Sequence, residues 1–215
     1  MTTTSKILFY SFLACTLLLA ACQKRAAPRV TSAPAYHQKI GVVGFTQPTT
    51  TSQLIRGSLP EKQGRIAPDT LVALDRMLHT DLATTKRLYT FIPVNHVPNS
   101  TSYHESGRPQ GLAYWTQFAE GQDIDLLLVP QIINWHQRQG SSAGVTEPAH
   151  VRAEFYLINV KTGQIVKFTT FEEKQAGLVD NMLGVGDFLK RKGAWVTAEE
   201  LTQEAIRATI KELGL

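Results

Sequence analysis

Asp125-Leu126-Leu127-Leu128-Val129 is an apolar run in which no polar residue recurs at every second position. A strand with one wet face alternates, whereas a strand covered on both faces does not. The run therefore predicts a central strand with helices above and below it. Pro130 comes next. Having no amide, it should bulge the strand or end its pairing on one side, with Ile132 to Trp135 continuing the element.

On the amino-terminal side, Leu112, Trp115, Phe118 and Ala119 mark an amphipathic helix over 110–120, which Gly121 stops. Tyr89 to Val94 reads as a strand ended by Pro93 and Pro98. Before it, Leu71, Leu74, Leu78 and Leu82 form one stripe of a helix running to Thr84. Pro68 suits its first turn and Asp69 its cap. Ile40 to Phe45 is a β-branched run that predicts a buried first strand. Residues 46–66 form a long loop with Thr and Pro clustered at 47–51. Loops of that length in a compact domain are often functional, so this one is the first candidate partner surface.

On the carboxy-terminal side, Gly140-Ser141-Ser142-Ala143-Gly144 predicts a flexible connection. Val151, Ala153, Phe155 and Leu157 then alternate with Arg152, Glu154 and Tyr156, the pattern of a half-exposed strand. Lys161-Thr162-Gly163 is a hairpin turn, and Ile165 to Phe171 returns antiparallel. Residues 175–195 mix apolar residues with four glycines and predict a short helix plus irregular backbone. Thr197-Ala198-Glu199-Glu200 is a capping box, opening a helix with Leu201, Ala205, Ala208, Ile210 and Leu213 on its apolar face and Gly214 at its end. The expected fold is a single α/β domain, a mixed sheet in β-α-β-α-β-β-β-α order with helices packed on it. Right-handed crossovers should make its first three strands parallel.

The front of the chain is of another kind. Lys6 precedes a mostly apolar run from Ile7 to Ala21, too short for a spanning helix, which needs about 20 apolar residues. Leu19-Ala20-Ala21-Cys22 closes that run. It resembles the lipobox of bacterial lipoproteins, in which the cysteine is lipidated on sulfur and becomes the first residue after cleavage. The resemblance implies acyl chains on Cys22 and, with Gln23 next instead of aspartate, delivery to the outer membrane. The expected organisation is a signal peptide over 1–21, a lipidated cysteine and flexible tether over 22–38, and the α/β domain over 39–215. Fully extended, residues 23–38 reach about 50 Å.

The same reading bounds the chemistry. Cys15 leaves with the signal, so Cys22 is the only cysteine of the mature chain, and its sulfur carries lipid. No disulfide, thiolate nucleophile or cysteine metal site is then expected. A formal charge of +4, reduced by one when Lys6 leaves, is too small a surplus for a nucleic-acid binder. Lys190, Arg191 and Lys192 are the densest basic run and the candidate contact with anionic lipid or wall polymer.

The element order and three segments resemble a group of envelope proteins sharing one α/β domain. The segments are Ile40–Phe45, Asp123–Val129, and Phe155 to Val166 with its Asn159-Val160-Lys161-Thr162-Gly163 turn. The group includes the curli secretion lipoprotein, the lipoprotein activator of penicillin-binding proteins and the amino-terminal domain of the Tol-system periplasmic protein. The likeness spans about residues 38–213. It implies a binding or assembly part with no catalytic residue, no metal and no cofactor, and an envelope protein partner or self-association. One departure is plain: channel-forming members carry additional long membrane hairpins, and here only the strand pair at 151–171 approaches that length.

Candidate catalytic patterns fail on context. Ser142 has the spelling of a nucleophile elbow, but an alternating strand follows where a helix is required. Gly184-Val185-Gly186 lacks the third glycine and preceding strand of a phosphate loop. His104-Glu105 has no second histidine at zinc spacing. The leading expectation is a lipid-anchored, non-catalytic binding or assembly module. Behind it stand an envelope hydrolase using Ser142 or the acids Asp123 and Asp125, and a subunit of a secretion pore.

Overall fold

The computed structural model describes residues 33–93, 107–175 and 194–215. Its elements are β1 (Ile40–Val43), α1 (Pro68–Ala83), β2 (Tyr89–Ile92), α2 (Gly111–Ala119), β3 (Leu126–His136), β4 (Gln139–Gly140), β5 (Val145–Glu147), β6 (His150–Asn159), β7 (Gln164–Lys174) and α3 (Ala198–Leu213). The predicted order stands, with the small β4–β5 hairpin inserted after β3. What the sequence implies for 1–32, for Pro98 and His104-Glu105, and for 176–193 lies outside the described residues.

Five strands form one sheet in the order β2-β1-β3-β6-β7. β1 lies parallel to both neighbours, with Ile40 opposite Tyr89 on one side and Leu126 on the other. β3–β6 and β6–β7 are antiparallel. The first three strands in sequence are thus mutually parallel, and the last hairpin supplies the antiparallel half. Leu126 to Trp135 are all buried, as the unalternating run demands.

Pro130 shows how a proline fits inside such a strand. It stays in register with Phe155 of β6, while its carbonyl accepts from the Thr46 amide on the opposite side (3.2 Å). β1 pairs with β3 only from Leu126 to Leu128. The missing amide therefore falls just where β1 has left the sheet, and the pairing lost is one-sided. The bulge comes later, between Ile132 and Asn134.

Two hydrophobic cores flank the sheet. On the first face, Leu74, Leu78 and Leu82 of α1 and Leu201, Ala205 and Ile206 of α3 cover Ile40, Val42, Leu126, Leu128, Phe155 and Leu157. On the second, Trp115 and Ala119 of α2 cover Val43, Leu127, Val129, Tyr156 and Ile158. Helices on both faces are what made Leu126 to Val129 of β3 uniformly apolar.

Caps follow the sequence with one exception. Thr197 accepts from the Glu200 amide (3.1 Å) and donates its own amide to the Glu200 carboxylate (2.7 Å), closing the expected capping box. Gly214 ends α3 at φ 74°. At α1, however, Pro68 is the first helical residue and Ala67 the N-cap, so Asp69 lies inside the first turn and caps nothing. It still favours that end electrostatically. Gly140–Gly144, expected to be a flexible connection, is instead the β4–β5 hairpin, with the Ser141 amide donating to Gly144 (2.8 Å).

Candidate functional site

The second sheet face is apolar only along half its length. Along β6 its inward positions run Ile158, Tyr156, Glu154, Arg152, His150, passing from hydrocarbon to charge. α2 covers the apolar half. Over the boundary lies the loop of residues 46–66, and it is bolted down. Gln131 of β3, 1% exposed, donates to the Gln53 carbonyl (3.0 Å) and accepts from the Ile55 amide (3.3 Å). Asn134 accepts from the Gly64 amide (2.8 Å), Gln47 bridges Gly64 and Ile66, and Gln63 donates to Pro48 and Ile133. The loop's own Leu54 and Ile55 are buried. The loop read as a partner surface is therefore ordered by amide side chains, each satisfying backbone groups that the lack of regular structure leaves over.

Glu154 is the centre of the polar half. It faces Gln131 on β3 and Thr170 on β7 and is 5% exposed. Its carboxylate accepts from Arg152 Nη2 (2.7 Å) and Nε (3.2 Å) on one side and from the Tyr156 hydroxyl on the other. Burial pushes the Tyr156 hydroxyl pKa far up, and donation to an anion holds it there. Arg152 also lies 3.9 Å from Glu172 of β7, which reaches His150 (3.4 Å). Asn134 holds the other nitrogen of the His150 ring (3.2 Å), and His136 stacks on it at 6.0 Å. Desolvation lowers the His150 pKa against the pull of Glu172, favouring the neutral ring.

At the outer edge of this ladder Phe168 is 46% exposed, stacks on Tyr156 and carries the Arg56 guanidinium 4.1 Å above its ring. The exposed ring thus lies under an arginine and beside charges already paired among themselves. The Glu154 carboxylate spends its acceptors on Arg152 and Tyr156. Among the described residues, no group of three or more His, Cys, Asp and Glu is placed to hold a metal ion.

The other candidate residues are dispersed. Ser142 lies in the β4–β5 turn, where its carbonyl accepts from the Trp195 amide (3.0 Å). No hydrogen bond joins its hydroxyl to a described histidine. Asp125 accepts from the Lys39 amide (2.8 Å), and Asp123 pairs with the Lys39 ammonium (2.5 Å). Both acids fasten the start of β1 to the start of β3. Trp115 and Trp135 are core. Cys22 and the Lys190, Arg191, Lys192 run lie outside the described residues.

No family model matches the chain. A search of curated proteins likewise returned no match. Solved structures do resemble it in outline. One is the PelC dodecamer from Paraburkholderia phytofirmans, 16% identical at TM-score 0.48 over 85% of this chain and 91% of that one. Another is lipoprotein GNA1162 from Neisseria meningitidis, 11% identical at TM-score 0.38 over 73% and 95%. A third is the LpoB C-terminal domain from Salmonella enterica, 14% identical at TM-score 0.33 over 69% and 88%. The likenesses thus include a bacterial lipoprotein. All three are distant, and no property of those proteins transfers to this chain.

Sequence reasoning missed the ladder. Alternation placed Arg152, Glu154 and Tyr156 on a wet face, because a strand read alone does not reveal what packs over it. One signal was available: Glu154 is flanked at two-residue spacing by Arg152 and Tyr156, the donors it ends up holding.

Proposed function

We propose that this chain is a lipid-anchored protein of the bacterial cell envelope whose α/β domain is a non-catalytic binding or assembly module. The observation that carries it is Leu19-Ala20-Ala21-Cys22 behind Lys6 and an apolar run ending in small residues. Residues 1–21 are the signal removed on export, and acyl chains on Cys22 hold the remainder to a membrane. Gln23 favours the periplasmic face of the outer membrane. More than one acyl chain makes the attachment lasting, since each buried methylene contributes about 0.8 kcal/mol and a single chain holds only marginally. The finer resemblance, to the group that contains the curli secretion lipoprotein, belongs to this same reading.

The partner in this reading is another envelope protein, met through Arg56 and Phe168 at the rim of the polar ladder. Lys190, Arg191 and Lys192 supply the contact with anionic lipid or wall polymer. Labelled palmitate fed to cells expressing the full chain should enter the parent and not Cys22→Ser, and the variant should leave the membrane fraction. A parent that stays unlabelled overturns the anchor. Cross-linking in intact envelopes should then trap a protein partner that Phe168→Ala loses; an identical pattern for both forms removes this patch as the contact.

A further inference from the structure

Arg87, in the turn between α1 and β2, ties three stretches of backbone together. Its Nη1 donates to the Ala35 carbonyl (3.1 Å), and its Nη2 to Pro34 (2.6 Å) and to Gly214 (2.9 Å). Its guanidinium also lies 4.8 Å over the Tyr36 ring. The segment it grips is closed on itself: the Gln38 amide donates to Ala35 (3.1 Å), and the Ala35 amide to the Gln38 side chain (2.9 Å). Pro34 is buried, while Tyr36 is 76% exposed and held by the cation. A planar cation with five donors in a fixed fork can reach three separated carbonyls while its face stacks on a ring.

The grip is at one end of the domain. There β1 and β2 begin, α3 finishes, and the β6–β7 turn lies at Lys161–Gly163. At the opposite end are the β4–β5 hairpin, the finish of β3 and β7, and the His150–Glu172 end of the ladder. The ten residues of β6 join the two ends. At about 3.3 Å per residue they span about 33 Å.

We propose that Arg87 fixes where the anchoring segment leaves the domain, so that the Lys161 end faces the lipid surface and the hairpin end faces away from it. The inference rests on the acylated Cys22 of the reading above. From Cys22 to Ala33 the chain reaches no more than about 40 Å. Releasing residues 33–38 would add about 20 Å. The clasp therefore shortens the tether by about a third and attaches the domain by one end, with the charged end of the ladder on the side away from the attachment.

Energy transfer on vesicles tests this directly. The mature chain has no free thiol once Cys22 is acylated, so Lys161→Cys and Ser142→Cys each create a single labelling site. The acylated full-length proteins, carrying a donor dye, are placed on phosphatidylethanolamine–phosphatidylglycerol vesicles bearing acceptor-labelled headgroups. The dye at 161 should lose severalfold more emission than the dye at 142. Adding Arg87→Ala should weaken transfer from 161 while flotation with the vesicles persists. Equal transfer from the two sites, or more from 142, overturns the orientation even if the Arg87 variant folds poorly, because that comparison uses the parent clasp. Failure to float defeats the lipid anchor and this inference with it; flotation with equal transfer defeats the orientation alone.

Discussion

Glu154 and Asp75 are two buried carboxylates handled in opposite ways. Glu154 keeps company with a cation, and removing its charge strands Arg152, whose side chain is 29% exposed. Glu154→Gln should cost about 2 kcal/mol in urea denaturation, and Tyr156→Phe about 1 kcal/mol. Because both act on one network, the double variant should lose at least about 0.5 kcal/mol less than the sum. Asp75, 7% exposed on α1, accepts from the Phe45 amide (2.6 Å) where β1 ends. Desolvation raises its pKa above the ordinary 3.8, against the pull of that amide and of His79. The folded chain therefore holds this proton more tightly than the unfolded chain. Stability from Asp75 is full below pH 3.8 and is lost as pH rises through the raised value. Asp75→Asn keeps an acceptor for Phe45 without the charge, so its stability relative to the parent should improve as pH climbs from about 4 to 7. A difference that stays flat across that range would show that the carboxyl titrates as it does in the unfolded chain.

Among the elements, the loop over 46–66 has the most contacts that no periodicity announces. Its seat against β3 requires a glycine. A Cβ at Gly64 would lie 1.9 Å from the Trp135 carbonyl oxygen, with no flexible side chain there to give way. Gly64→Ala should therefore cost about 2 kcal/mol or more and speed hydrogen exchange at amides 47–66, leaving the amides of α3 slow. The strands explain why some positions were legible and others not. β3 announced itself through Leu126 to Val129, where helices cover both faces and no polar residue falls. β6 is covered as fully from Ala153 to Ile158, yet one of its faces is filled by a neutralised polar network, and that produces the same alternation as contact with water.

Across the whole molecule, the order of elements, the parallel first half and the antiparallel second half were readable from apolar periodicity, proline and glycine placement, and one capping box. The candidate site was not. Its members come from β3, β6, β7 and a loop, and chain distance conceals that they meet; Arg56 and Phe168 are more than a hundred residues apart. Asp69 was misassigned as a cap for a smaller reason, since proline at the first helical position moves the cap two residues back, to Ala67.

The strand order carries a consequence for the export proposed above. β1 comes first in the chain but lies inside the sheet, and its two neighbours begin at Tyr89 and Leu126. The strand that completes the pairing of β3 is later still. Each of these closures links distant parts of the polypeptide, and such pairings form slowly compared with local helices. A polypeptide wired this way has no finished sheet to offer until most of it has been synthesised, which under the proposed export would leave a translocation channel a chain still able to thread.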